Sequence, residues 1–180
     1  MRINTILKES ISNGPGKRGV VWVQGCGKAC NGCFNQEAQS YCGGYEMSPE
    51  EILKEFDLNK IDGLTVSGGE PFDQGEELKK LLTLAEEKHL NTLVYSGYVY
   101  EQLVSNNFEV LRHCNYIIDG PYMKDSPSKC RWAGSGNQRF LQLKDGYIEK
   151  NLTESEDYSQ TAEIFIEETG NITITGFIEA

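Results

Sequence analysis

Four of the six cysteines, Cys26, Cys30, Cys33 and Cys42, crowd into seventeen residues, while Cys114 and Cys130 lie alone. The first three fall in Gln24-Gly25-Cys26-Gly27-Lys28-Ala29-Cys30-Asn31-Gly32-Cys33-Phe34-Asn35, with a C-x3-C-x2-C spacing. Soft thiolates at this density select iron–sulfur clusters, zinc or copper(I). Structural zinc wants four protein ligands. Three close cysteines instead suit three irons of a 4Fe–4S cluster, leaving a fourth iron open to coordinate a small molecule. Gly27, Gly32 and Asn31 suit a loop that wraps tightly round such a group. Three other readings stand beside this one. Cys42 completes a zinc site, a closed four-cysteine cluster carries electrons only, or the cysteines are buried small residues.

The chain around this motif has 180 residues, 38% hydrophobic and 24% charged, enough for one domain with its own core. Seventeen basic residues against twenty-seven acidic ones give a net charge of -10, which disfavours nucleic acid and anionic membrane as partners. Residues 149–180 hold eight acidic residues and one basic, so seven of the ten net charges lie there. No apolar run reaches the roughly 18 to 20 residues that span a bilayer. The start, Met1-Arg2-Ile3-Asn4-Thr5, lacks a secretory stretch. The expectation is a cytoplasmic protein whose cysteines are metal ligands or free thiols rather than disulfides. Cys42, Cys114 and Cys130 have no metal spacing and read as free thiols.

The elements that position the motif show in the hydrophobic pattern. Val20-Val21-Trp22-Val23, Leu64-Thr65-Val66, Thr92-Leu93-Val94-Tyr95 and Tyr116-Ile117-Ile118 are short apolar runs, each stopping at a glycine-bearing loop. They read as buried strands. Ser48-Pro49-Glu50-Glu51 is a capping box opening a helix. Residues 75–90 place Leu78, Leu81, Leu82 and Ala85 on one helical face. Residues 99–104 and 108–111 read as shorter helices. Strand and helix alternating in this order predict a parallel sheet with right-handed crossovers. The expected fold is α/β, an open partial (β/α) barrel of about five to six mainly parallel strands with a short β-rich C-terminal extension. Residues 1–148 form the expected core domain and residues 149–180 an acidic extension packed on it. The cysteines then lie on the loop after the first parallel strand, where such folds keep their chemistry.

The C-x3-C-x2-C spacing resembles that of the radical S-adenosylmethionine enzymes, and Thr65-Val66-Ser67-Gly68-Gly69-Glu70-Pro71 looks like their Gly-Gly-Glu-Pro motif, one βα unit later. Asn13-Gly14-Pro15-Gly16-Lys17-Arg18, Cys33-Phe34-Asn35, Tyr95-Ser96-Gly97-Tyr98, Asp119-Gly120-Pro121-Tyr122 and residues 131–139 resemble one subgroup, the anaerobic ribonucleotide reductase activating enzymes. That subgroup usually has Asp where Asn13 stands.

The resemblance implies that Cys26, Cys30 and Cys33 ligate a [4Fe-4S] cluster and that S-adenosyl-L-methionine chelates its open iron. Gly68, Gly69, Glu70 and Pro71 would receive the methionine amino group, Phe34 and Asn35 would lie near the adenine, and Ser96 and Asp119 would meet the ribose, the carboxylate or the substrate. Against these stand core packing for Phe34, a loop hydroxyl for Ser96 and a helix cap for Asp119. The implied reaction is reductive cleavage to a 5′-deoxyadenosyl radical, which takes a hydrogen atom from a glycine of a large glycyl radical enzyme, the anaerobic ribonucleotide reductase. A flavodoxin or ferredoxin-type protein is the implied reductant. No side chain is implied as acid or base. The alternatives are another protein, peptide or small heterocycle as substrate, or a non-catalytic iron–sulfur or zinc protein. Lys124, Lys129, Arg131 and Arg139 form a basic loop suited to a carboxylate or an acidic partner, with Trp132 as interface anchor or core residue. His89 and His113 read as surface caps near helix ends.

Overall fold

The computed structural model describes residues 1–128, 130–154, 161–166, 170 and 172–177. Lys129 of the basic loop and much of the acidic segment lie outside the described residues.

Four strands run parallel at the centre of one sheet: β2 (Arg18–Val23), β4 (Gly63–Gly68), β5 (Asn91–Ser96) and β6 (Tyr116–Asp119). Strands buried on both faces need continuous apolar runs, which is why the short runs in the sequence mark them. Antiparallel strands extend the sheet on each side. β1 (Arg2–Ser10) lies against β2, with β3 (Tyr45–Glu46) outside it. β7 (Arg139–Lys144) lies against β6, with β8 (Tyr147–Asn151) outside it. The sheet therefore has eight strands, not the expected five to six. The count was low because β1 and β3 offer no apolar run. Asn4, Thr5, Lys8 and Glu9 interrupt β1, and its pairing is irregular at two points. A separate hairpin, β9 (Ala162–Ile166) and β10 (Ile172–Gly176), follows.

Helix α1 (Pro49–Lys54) opens with the expected capping box, Glu51 N–H donating to Ser48 Oγ at 3.2 Å and Ser48 N–H to Glu51 Oε2 at 2.7 Å. Helix α2 (Gly75–Glu87) buries Leu78, Leu81, Leu82 and Ala85. Helices α3 (Tyr100–Asn106) and α4 (Phe108–Leu111) fill the crossover from β5 to β6. His89 follows α2 in a left-handed conformation, and His113 Nδ1 lies 3.1 Å from Glu86. Asp145 and Gly146, both at positive φ, make the β7–β8 turn.

The helices cover one sheet face, where Val21, Val66, Val94 and Ile117 join Leu78, Leu82, Leu103 and Leu111 in the main core. The other face holds a smaller cluster of Leu93, Ile118, Cys130, Ala133 and Phe140. Trp132, partly buried, packs against that cluster, edge to face with Phe140 at 5.2 Å.

Arg18 is fully buried at the start of β2. Its guanidinium donates to Thr65 Oγ1 at 2.6 Å, Pro15 O at 2.9 Å, Asn91 Oδ1 at 2.6 Å, Leu64 O at 2.8 Å and Asn91 O at 3.1 Å. All are neutral acceptors, so burial lowers its pKa to about 10. The five bonds tie residues 13–16 to the base of β2, β4 and β5.

Candidate metal and cofactor site

The cysteine loop leaves the C-terminal end of β2 and is folded back by ordinary polar contacts. Gln24 does most of this. Its amide donates to Glu37 O at 3.0 Å and Ser40 O at 2.6 Å, and its Oε1 accepts from Asn4 at 2.8 Å. Gly25 and Cys26 N–H donate to Ala38 O at 2.7 Å and Gln39 O at 3.0 Å. Gly25 and Gly32 take φ of +100° and +70°, and Ala29, between Cys26 and Cys30, is strained at +49°. A Cβ on Gly32 would stand 2.7 Å from the Lys124 side chain, so Lys124 lies against this loop.

The turn after β4 is laid directly on the cysteine loop. Gly69 N–H donates to Val23 O at 2.8 Å and Glu70 N–H to Gly25 O at 2.9 Å. A Cβ on Gly69 would fall 2.2 Å from Gly25 O, so no side chain fits. Glu70 is buried and faces inward. It accepts from Phe72 N–H at 3.1 Å, Ser96 Oγ at 2.9 Å and Gly97 N–H at 2.7 Å. These bonds join the end of β4 to the end of β5. Gln74 completes the frame, donating to Arg2 O and Gln24 O at 3.1 Å each.

These loops enclose a cavity of about 490 Å3, a size that suits a small organic ligand. Cys26, Cys30, Cys33, Phe34, Asn35, Gly68, Gly69, Glu70 and Ser96 all line it. Pro71 and Asp119, also expected here, do not. Pro71 is buried at the start of a 3-10 turn, Pro71–Gln74. Asp119 accepts from Tyr100 N–H at the start of α3 at 2.6 Å and pairs with Arg139, which also binds Glu101. The contacts of Asp119 are those of a helix cap and an ion pair. They also bind Arg139 within the fold.

Trp22, Lys28, Tyr122 and Phe177 also line the cavity, and of these Phe177 alone lies outside every motif and strand legible in the sequence. Phe34 lies 4.8 Å from the Tyr122 ring and 5.7 Å from that of Phe177, and the three form an aromatic wall over Gly134. Lys28 Nζ sits 3.2 Å over the Tyr98 ring, and the Tyr98 hydroxyl donates to Asp73 at 3.0 Å.

None of the six cysteines forms a disulfide. Cys42 is exposed and outside the cavity. Among the described residues no three His, Cys, Asp or Glu side chains converge on a single-ion site. Three thiols spread round one cavity fit a cluster in which each thiolate takes a different iron, so the donor set suits a 4Fe–4S group. Asn35 N–H donates to Cys33 Sγ at 3.4 Å. Burial pushes the Cys26 thiol up, with Glu70 and Asp73 adding to it. A cationic metal cluster offsets such a penalty.

Burial also pushes the Glu70 carboxyl up to about 7, against the three donors that favour its anion. The folded chain then keeps a proton that the unfolded chain releases above pH 4.5. This contribution to stability is full below that pH and is lost as pH rises towards 7, on the order of 3 kcal/mol in all. Thermal unfolding of the metal-free chain at about pH 5 and about pH 8 tests it. Glu70→Gln should show the smaller difference between the two; an unchanged difference would place the titration elsewhere.

The 4Fe-4S single cluster domain model matches residues 12–141. The anaerobic ribonucleoside-triphosphate reductase-activating protein of Enterobacteria phage T4 is 33% identical over 153 residues, covering 81% of this chain and 97% of that protein. The protein of the same name from Pasteurella multocida is 32% identical, over 73% of this chain and 93% of its own length. The pyruvate formate-lyase-activating enzyme of Clostridium pasteurianum is 35% identical over 148 residues, covering 77% of this chain and 60% of that enzyme.

Proposed function

The chain belongs to the 4Fe-4S single cluster domain family, and from that premise we propose that it activates a glycyl radical enzyme, the anaerobic ribonucleoside-triphosphate reductase. Cys26, Cys30 and Cys33 hold a [4Fe-4S] cluster, and S-adenosyl-L-methionine fills the rest of the cavity. The observation that carries this reading is that the three thiols share one cavity with Gly68, Gly69, Glu70 and Ser96. Bound there and reduced by one electron from an external donor, the cluster would supply that electron to the sulfonium of S-adenosylmethionine, chemistry that would yield methionine and a 5′-deoxyadenosyl radical able to take hydrogen from a glycine Cα.

The chain's own residues bind, orient and exclude water. Gly68 and Gly69 line the cavity where the ammonium group would lie, and without side chains their turn closes on the backbone of Val23 and Gly25. Glu70 is a positioning residue, because its oxygens are committed to Phe72, Ser96 and Gly97. Phe34, Tyr122 and Phe177 offer apolar ring surface to the adenine, with Asn35 beside them. Asp119 positions α3 and Arg139. Closing these groups round the reacting carbon excludes water that would quench a radical.

Residues from β1, β2, β4, β5 and the 120–138 loop wall one cavity, which supports reading the sheet as an open partial barrel. Glu163 and Thr175 bond to residues 10–13, which supports residues 149–180 as an extension packed on a core of residues 1–148. No described helix is long and apolar enough to cross a membrane. Free thiols and a reducible cluster suit the cytoplasm, with a flavodoxin or ferredoxin-type donor supplying the electron. The likeness to a pyruvate formate-lyase-activating enzyme favours, as second reading, a different glycyl radical enzyme as substrate.

Anaerobic reconstitution with iron and sulfide, then a strong reductant and S-adenosylmethionine, tests the cofactor chemistry. The expected product is 5′-deoxyadenosine. A verified cluster that makes none would overturn the reading.

A further inference from the structure

The β9–β10 hairpin stands at the mouth of the cavity with an apolar outer face. Ile164 pairs with Ile174 and Ile166 with Ile172 across the strands. The four are 62%, 56%, 73% and 62% exposed in that order. Paired isoleucines facing water on both strands of a ribbon mark a contact surface rather than a solvated one.

The inner side of the hairpin is fastened. Glu163 accepts from the Ser10 and Ser12 hydroxyls and from Ile11 and Ser12 N–H. Burial works against its charge, yet the four donors outweigh it and hold the carboxyl below its usual range. Asn13 Nδ2 donates to Thr175 Oγ1 at 2.8 Å. The outer face is therefore held in a fixed place beside the cavity.

The placement of β10 adds a second observation. Five consecutive residues, 173–177, line the cavity. Strand side chains alternate between faces, so consecutive residues reach one space when the strand turns its backbone edge towards it. Among the described residues β10 pairs with β9 alone, so that edge has no strand beside it.

We propose that the β9–β10 hairpin is the docking ledge for the protein substrate, a deepening that rests on the function proposed above. The glycine-bearing segment lies extended along the β10 edge, and an apolar surface of the same partner, edged with basic residues, covers the isoleucine face. Glycine has no side chain to recognise, so its flanking backbone must supply the register, as strand addition does. The isoleucines supply affinity. Glu163 apart, which is committed to residues 10–12, the sequence segment that carries the hairpin, residues 149–180, holds seven acidic residues against one basic, a balance that favours a basic partner surface. A small substrate would use neither feature.

The double variant Ile166→Lys/Ile172→Lys tests this, because neither residue lines the cavity. The probe is an anaerobic ribonucleoside-triphosphate reductase, its binding to the reconstituted chain followed by sedimentation velocity. Binding should weaken about tenfold or more, while 5′-deoxyadenosine formed without the reductase stays at the parent rate. Ile166→Ser/Ile172→Ser should give a smaller loss in the same direction and serves if the lysine pair unfolds the chain. Unchanged binding in the variants, where the parent chain makes 5′-deoxyadenosine, would overturn the ledge alone. A parent chain that makes none would overturn both readings. A parent dimer that the variant breaks would give the face to a second copy and also overturn the proposal.

Discussion

Cys30→Ala should leave a chain that folds like its parent and makes no detectable 5′-deoxyadenosine. Cys30 lies on the cavity wall, only partly buried, outside both core clusters, so its removal costs little packing. As a ligand it is worth far more. Partners one step outside a metal site already cost about 10 to 100-fold when removed, so losing a ligand itself should exceed about 1000-fold. Cys114→Ala gives the contrast. Cys114 is buried in the main core, and burial alone pushes its thiol up. Its replacement should cost about 1 kcal/mol of stability and leave activity alone. Iron content, absorbance and product formation on the two variants read this directly. Retained activity in Cys30→Ala would remove Cys30 from the ligand set.

Gly69→Ala should fail in a different way, keeping the cluster and losing the small molecule. The added methyl would sit 2.2 Å from Gly25 O and 3.0 Å from Ala38 O. Both are backbone atoms, so neither can swing aside, and the turn after β4 must lift off the cysteine loop. That breaks the register set by Gly69 N–H to Val23 O and Glu70 N–H to Gly25 O. The cost to folding is about 2 to 4 kcal/mol. Displacing a binding surface by about 1 Å costs about 100-fold in turnover. Gly75→Ala is the control. Its Cβ would meet nothing nearer than 3.6 Å, at the first residue of α2. It should be neutral or gain about 0.5 to 1 kcal/mol. Cluster absorbance unchanged with S-adenosylmethionine affinity lost is the expected pattern for Gly69→Ala; unchanged affinity would show that the turn does not hold the ligand.

These two positions were legible in the sequence because their chemistry is local. Cysteine spacing and a pair of glycines after a strand say what they do without knowledge of the fold. The capping box of α1 and the four apolar strands were legible for the same reason. What escaped depends on contacts between distant residues. Gln24 staples the cysteine loop and Gln74 reaches Arg2, yet a glutamine carries no sign of its partner. β1 is half polar because it lies outside the parallel centre, so no apolar run marks it. Asp119 reads from the sequence as a ribose or substrate contact or as a helix cap, and the Arg139 partner that no sequence signal shows lies on the next strand of the sheet. Phe177 reaches Phe34 only because the hairpin folds back on the loop before β2.

Electron paramagnetic resonance on a mixture of the reconstituted chain, a strong reductant, S-adenosylmethionine and an anaerobic ribonucleoside-triphosphate reductase tests the central claim. The expected result is a glycyl radical doublet that forms with the parent chain and is absent with Cys30→Ala. A chain that makes 5′-deoxyadenosine freely in that mixture yet yields no doublet would contradict it.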